Sequence, residues 1–185
     1  MTTVPHLAFS HLGFHVYDLA RMEDFYTRVL GFAVTDRGVG RGAALVFLSR
    51  DPREHHQIVL ASGRTGDPGE RTLNQISFRL GSLADLRAMH DRVGAEPEVG
   101  DINPINHGTA WSVYFRDPEG NRIELFVDSP WYVPQPVIDP LDLSLSDNDI
   151  LRLTRERYGG EKEFQPVERW RADFSRNPNV NPNVS

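Results

Sequence analysis

His11–Gly31 (HLGFHVYDLARMEDFYTRVLG) and Gln75–Ala95 (QISFRLGSLADLRAMHDRVGA) decide the fold, because the second repeats the first 64 residues further along. Phe14 falls on Phe78, Val16 on Leu80, Leu19 on Leu83, Arg28 on Arg92 and Val29 on Val93. Self-similarity at a fixed separation marks a repeated structural unit. Each copy opens with a short alternating strand and a turn. A helix is then predicted, with apolar residues at Leu19, Met22, Phe25, Tyr26 and Val29 in one copy and at Leu83, Leu86, Met89 and Val93 in the other. Both sets follow the i, i+3, i+4, i+7 spacing of an amphipathic helix. Ser82, with Asp85 three residues on, reads as a helix N-cap.

Outward from these copies lie paired strand-like runs. They are Ala43–Leu48 and Gln57–Ala61 in the first half, and Trp111–Phe115 and Arg122–Val127 in the second, the latter joined by Asp117-Pro118-Glu119-Gly120-Asn121. Pro followed by Gly is strong turn chemistry. The expected fold is α+β: two tandem βαβββ modules, about 8–62 and 71–128 within a domain over 1–128, joined by a linker over 63–70. Residues 129–185 do not repeat. Pro130, Pro134, Pro136 and Pro140 predict an extended arm. Ser146 with Asp149 predicts a capped helix to about Tyr158, ended by Gly159-Gly160, and a second short helix is expected over Pro166–Phe174. The Asn/Pro-rich end reads as disordered.

The chain has 185 residues, formal charge −6, seven His and no Cys. That length suffices for a sizeable core without staples. Without Cys there are no zinc-thiolate sites, iron–sulfur clusters, thiol nucleophiles or disulfides, so any metal must rest on His, carboxylate, amide or water. The longest apolar run, Ala43–Leu48, is six residues, far short of the ~18–20 of a membrane helix. Met-Thr-Thr-Val-Pro-His shows no basic start before an apolar stretch, so no signal peptide is expected. The acidic balance argues against nucleic acid or anionic membrane as partner. A cytoplasmic protein is the default expectation.

The second hairpin is centred so that paired positions sum to about 238, which makes Tyr114 and Glu124 cross-strand neighbours on one face. Ile123, Leu125 and Val127 alternate to the other face as core. Glu124 then lies away from the helices, on a face that is either solvent, as Arg122 beside it fits, or a site. His11 and His15 share a face of the first strand, with Gly13 between them. His11 and Gln75 are equivalent in the repeat, and His56 and Glu124 are near-equivalent at an offset of 68. Four potential ligands at repeat-related positions point to one shared centre. Imidazole, amide oxygen and carboxylate suit a divalent ion there.

The run SHLGFHVYDLARMEDFYTRVLGF (10–32) resembles the opening of a vicinal oxygen chelate module, and YFRDPEGNRIELF (114–126) resembles that superfamily's closing hairpin with its metal-binding Glu. The resemblance spans about residues 8–128. It implies two modules curling into an open half-barrel around a metal site, in a superfamily that includes glyoxalase I, fosfomycin-resistance and bleomycin-binding proteins, and extradiol dioxygenases. Among these the chain is most similar to one-domain extradiol catechol dioxygenases. Carried over residue by residue, the likeness implies His11 and Glu124 as metal ligands, His56 as general base and Tyr114 as a hydrogen-bonding partner of the bound substrate oxygen. His107 is a looser match to an active-site acid. Gln75 stands where the pattern has a second metal His, giving the set His11, Gln75, Glu124. The implied cofactor is a divalent metal, Fe(II) favoured over Mn, Zn, Ni or Co. The implied reactants are an aromatic diol and O2, with Trp111, Phe47 and Phe126 as an aromatic wall. The resemblance also implies a homodimer or higher homo-oligomer. Asp128-Ser129-Pro130-Trp131-Tyr132 follows the Glu124 strand, so the arm is expected to start beside the site, as a lid over it or a latch on a partner subunit. The alternatives are a non-redox lyase, isomerase or epimerase of the glyoxalase type, or a non-enzymatic resistance-type binding protein.

Overall fold

A computed structural model describes residues 7–67 and 73–177. The first module forms a four-stranded sheet in the order β1-β4-β3-β2 from β1 (Leu12–Val16), β2 (Ala33–Gly40), β3 (Ala43–Ser49) and β4 (Ile58–Ser62). The second repeats it with β5 (Ile76–Arg79), β6 (Gly100–Asn106), β7 (Ala110–Arg116) and β8 (Arg122–Asp128), in the order β5-β8-β7-β6. In each, the first and last strands pair in parallel and the rest are antiparallel. Each sheet is open, and the predicted βαβββ repeat is present twice.

Two strands escaped the sequence. β2 is an edge strand, mostly exposed, with a register shift between Val34 and Asp36. β6 carries Pro104 and a shift between Gly100 and Asn103. Bulged strands, whether polar at an edge or interrupted by proline, carry no clean alternation.

The helices cap as predicted. The Ser82 side chain accepts from Asp85 N at the start of α2 (Leu83–Gly94), and Ser146 accepts from Asp149 N at the start of α3 (Asp147–Tyr158). The first helix is not uniform: α1 (Leu19–Asp24) widens into a π-helical stretch over Phe25–Val29. Thr27 Oγ1 donates back to the Glu23 and Asp24 carbonyls, and Leu30 N reaches Phe25 O five residues back. A β-branched hydroxyl bonding to the preceding turn loosens a helix in this way.

Alternation along β8 places Ile123, Leu125 and Val127 in the core with Phe115 and Val113 of β7, Leu86 and Val93 of α2, and Met22 and Phe25 of the first helix. Truncating such a side chain to Ala costs about 2–5 kcal/mol. Trp111 belongs to this set. It is paired with Val127, only 3% exposed, and its Nε1 donates to Thr154 of α3 at 3.0 Å. Its parity turns it to the helix side, so it is core and not part of a substrate wall.

The modules are sewn together. The Glu119 carboxylate accepts from Tyr17 N and Asp18 N at 2.7–2.9 Å, completing the turn into α1. Tyr26 OH donates to Asp117 at 3.4 Å. Arg92 donates to Val29 O, and its repeat mate Arg28 pairs with Glu96.

The arm folds back on the second module. β10 (Asp139–Pro140) extends that sheet beside β6, and Val133 is buried. Gly108, at φ +72°, must be glycine: a Cβ there would lie 2.7 Å from Val133 Cγ2. β9 (Trp131–Tyr132) pairs with β11 (Gln165–Pro166), from which α4 (Val167–Phe174) starts. Most of the predicted disordered end, from 178 onward, lies outside the described residues, as do 68–70 of the predicted linker and 71–72 at the start of the predicted second module.

Candidate metal centre

The register of β7 and β8 is the predicted one, with Tyr114 opposite Glu124, and β5 adds Ser77 on Glu124's other side. Glu124 is 7% exposed. A carboxylate buried to that degree needs its lone pairs occupied. Its Oε1 accepts from Tyr114 OH at 2.6 Å and Ser112 Oγ at 2.8 Å. Its Oε2 accepts from Ser77 Oγ at 2.5 Å and Gln75 Nε2 at 2.8 Å. Burial first, and the Glu124 hydrogen bond second, push the Tyr114 phenol well above its ordinary range, so it stays a neutral donor.

His107 joins through Tyr114, with Nε2 3.1 Å from the phenol oxygen and 3.7 Å from Glu124 Oε1. Its Nδ1 lies 2.5 Å from the Val137 carbonyl. A carbonyl only accepts, so Nδ1 carries a proton and Nε2 is the atom turned to the site. Gln135 Nε2 donates to the His107 carbonyl at 2.7 Å. The arm thus fixes both backbone and ring of His107. His107, Tyr114, Glu124, Phe126 and Gln135 wall a cavity of about 270 Å³.

His11 and His56 gather at the first module, with ring centroids 4.2 Å apart. Ser10 Oγ lies 3.1 Å from His11 Nδ1, and Phe47 packs 5.2 Å from the His56 ring. His56 and His55 bring their Nδ1 atoms within 2.9 Å, so one of the two carries the shared proton. Burial, then the neighbouring His11 and His55, lower the His56 pKa.

Gln75, Tyr114 and His107 therefore converge on Glu124, while His11 and His56 contact each other. No hydrogen bond joins the two groups among the described residues. One predicted equivalence fails. The register sets Ser77 against Glu124 and Gly13 against Val59, so the counterpart of Glu124 is Val59. His56 lies in the loop before β4, two residues ahead of Ile58. Ser77 and Ser112 were missed by the sequence reading, although the alternation that picked out Tyr114 and Glu124 puts both on the same face. Gln135 and Val137 carry no such signal.

The donors of His11, Gln75 and Glu124 are one imidazole nitrogen, one amide oxygen and one carboxylate, a set that fits a divalent ion. Among the described residues no group of three or more His, Cys, Asp or Glu side chains is placed to hold a metal ion.

The chain belongs to the Glyoxalase/Bleomycin resistance protein/Dioxygenase superfamily, whose model matches residues 8–125. It is 32% identical over 177 residues to biphenyl-2,3-diol 1,2-dioxygenase 2 of Rhodococcus globerulus, covering 90% of this chain and 80% of that one. It is 36% identical over 138 residues to biphenyl-2,3-diol 1,2-dioxygenase 3 of the same organism, covering 70% and 66%. Among solved structures, a glyoxylase/bleomycin resistance protein/dioxygenase domain from Frankia sp. shares the fold at TM-score 0.57 and 22% identity, over 68% of this chain and all of that one. Fosfomycin resistance protein FosX from Mesorhizobium loti matches at TM-score 0.50 and 25% identity, over 64% and 89%. No helix among the described residues is long and apolar enough to cross a membrane.

Proposed function

We propose that the protein is a metal-dependent extradiol-type dioxygenase that cleaves a catecholic ring with O2. The observation that carries this is the Glu124 cluster: a buried carboxylate with a neutral phenol and a fixed imidazole beside it, lining a cavity, in a chain similar to two biphenyl-diol dioxygenases over most of its length.

His11, Gln75 and Glu124 would hold the metal, Fe(II) by preference. A bound divalent ion supplies Lewis acidity, which lowers the pKa of an aromatic hydroxyl. Tyr114 orients the diol by hydrogen bonding. His56, held below its ordinary pKa, is unprotonated at neutral pH and takes the proton of the second hydroxyl. His107, with Nε2 toward the site, would first take up a proton on Nε2 and then give it to the product as the ring opens. Phe47 and Phe126 are the aromatic wall.

The test is to load the chain anaerobically with Fe(II), then add a panel of catechols and O2 and follow the yellow ring-fission product. No product from protein with stoichiometric metal would overturn this reading. One observation favours a second reading. Gln75 supplies a neutral amide where a second imidazole is expected, and such a set also suits a non-redox ion in a lyase, isomerase or epimerase. Retention of Mn or Zn in preference to Fe(II), with turnover that consumes no O2, would select it.

A further inference from the structure

Arg122 stands two residues from Glu124 on the same face of β8, and its guanidinium lies 4.2 Å from the centroid of the Tyr114 ring. The other arginines around it have carboxylate partners. Arg79 pairs with Asp128 at 3.4 Å, Arg116 with Asp101 at 2.7 Å, and Arg64 lies 3.6 Å from Glu119. Arg122 forms no ion pair with a described residue. It is half-buried, and its guanidinium packs on the face of the Tyr114 phenol ring. A cation–π contact is worth less than a charge-assisted hydrogen bond to an anion.

Beside Arg122 is a cavity of about 350 Å³ between β1 and the start of β8, walled by Gly13, His15, Arg64, Asn121 and Arg122, with Asp67 as its acidic lining residue. Gly13 keeps it open. A Cβ at Gly13 would meet Val59 Cβ at 3.6 Å, an ordinary contact, so packing does not demand glycine there. The missing side chain leaves room on the face shared with His11 and His15. Tyr114 links Arg122 to the Glu124 cluster, its hydroxyl on Glu124 and its ring beneath Arg122.

We propose that this cavity binds a carboxylate, and that the aromatic diol taken by the site carries an anionic ring substituent recognised by Arg122. The guanidinium fork matches a carboxylate in two hydrogen bonds. This rests on the diol reading above, and its test separates the two.

The full chain is titrated calorimetrically under nitrogen with 3,4-dihydroxybenzoate, 4-methylcatechol and benzoate, as wild type, Arg122→Gln, Arg122→Lys and Gly13→Val. Wild type is expected to bind 3,4-dihydroxybenzoate about tenfold or more tighter than 4-methylcatechol, the worth of one charge-assisted contact. Arg122→Gln brings that ratio to about one, Arg122→Lys keeps part of it, and Gly13→Val removes it by filling the cavity. Added salt weakens the carboxylated ligands selectively. A wild type that binds both diols without the preference, or an Arg122→Gln variant that keeps it, overturns the proposal. Benzoate tells the two failures apart. Benzoate bound by wild type but not by Arg122→Gln supports the carboxylate cavity even if neither diol binds, whereas 4-methylcatechol binding without benzoate binding sinks the cavity and leaves the diol reading standing.

Discussion

Where Ser77 faces Glu124 in the second module, Gly13 faces Val59 in the first. Both pairs sit at the same step of a parallel ladder between first and last strands, in sheets of the same order. One step holds a carboxylate ringed by four donors, and the other holds a glycine and an aliphatic side chain. The turns that precede the last strands diverge as well. At Asp117-Pro118 the Asp117 carboxyl is buried, 2% exposed, and its pKa is pushed up to about 6, mainly by desolvation. Asp51-Pro52 lies at the surface, and hydrogen bonds from Arg53 pull the Asp51 carboxyl down to about 2. Repetition of the frame thus does not repeat the chemistry. The first module contributes exposed imidazoles and open space, and the second contributes the buried polar cluster.

The sharpest way to break this contrast is to make the second module resemble the first. Glu124→Val is expected to abolish divalent-ion retention and turnover, checked by metal analysis of purified protein and by O2 consumption. It also leaves the hydroxyls of Ser112 and Tyr114 without their acceptor.

The next effect is on pH. The folded-state pKa of Asp117 is raised above its unfolded value, so its stabilising contribution is complete below about pH 4 and is lost as pH rises through about 6. The loss amounts to about 2–3 kcal/mol for a shift of this size. Urea titrations at several pH values should show this slope in wild type and not in Asp117→Asn. A difference between the two that is flat with pH would refute it. Asp51 responds with the opposite sign, its smaller contribution being lost as pH falls through about 2.

The converse graft, Val59→Glu, places a carboxylate opposite Gly13 with no Ser or Tyr donors around it. It should cost about 1–3 kcal/mol, read as a lowered denaturation midpoint. Smallest is Tyr114→Phe. It removes one of four hydrogen bonds to Glu124 and should weaken metal retention about 10–100-fold, as loss of an outer-shell partner does, with the fold intact by circular dichroism.

The repeat, the helix caps and the β7–β8 register were all legible because each follows a short-range rule: period, cap chemistry, or a turn that fixes strand pairing. The Tyr114–Glu124 pair came from that register alone. What failed was long-range. A near match in spacing set His56 against Glu124, yet the ladder is counted from Leu12 and Ile58, and the loop before β4 absorbs the difference. Trp111 was misplaced because an aromatic strand residue shows its side only by parity with a partner strand. Nothing in the sequence announced that Val137 fixes the ring of His107, since an extended arm offers backbone carbonyls whatever its side chains are.

That arm has a bearing on how the molecule is made. Residues 8–125 contain every side chain of the superfamily match, but His107 gains its Val137 partner, and Trp111 its Thr154 partner, only from chain synthesised afterwards. A nascent chain emerging from the ribosome could pair both sheets and still have a free imidazole at His107 and an unsatisfied indole at Trp111. The His107 ring is therefore anchored late in translation, and a product cut short before residue 137 would carry the whole superfamily signature yet leave that ring without its Val137 partner.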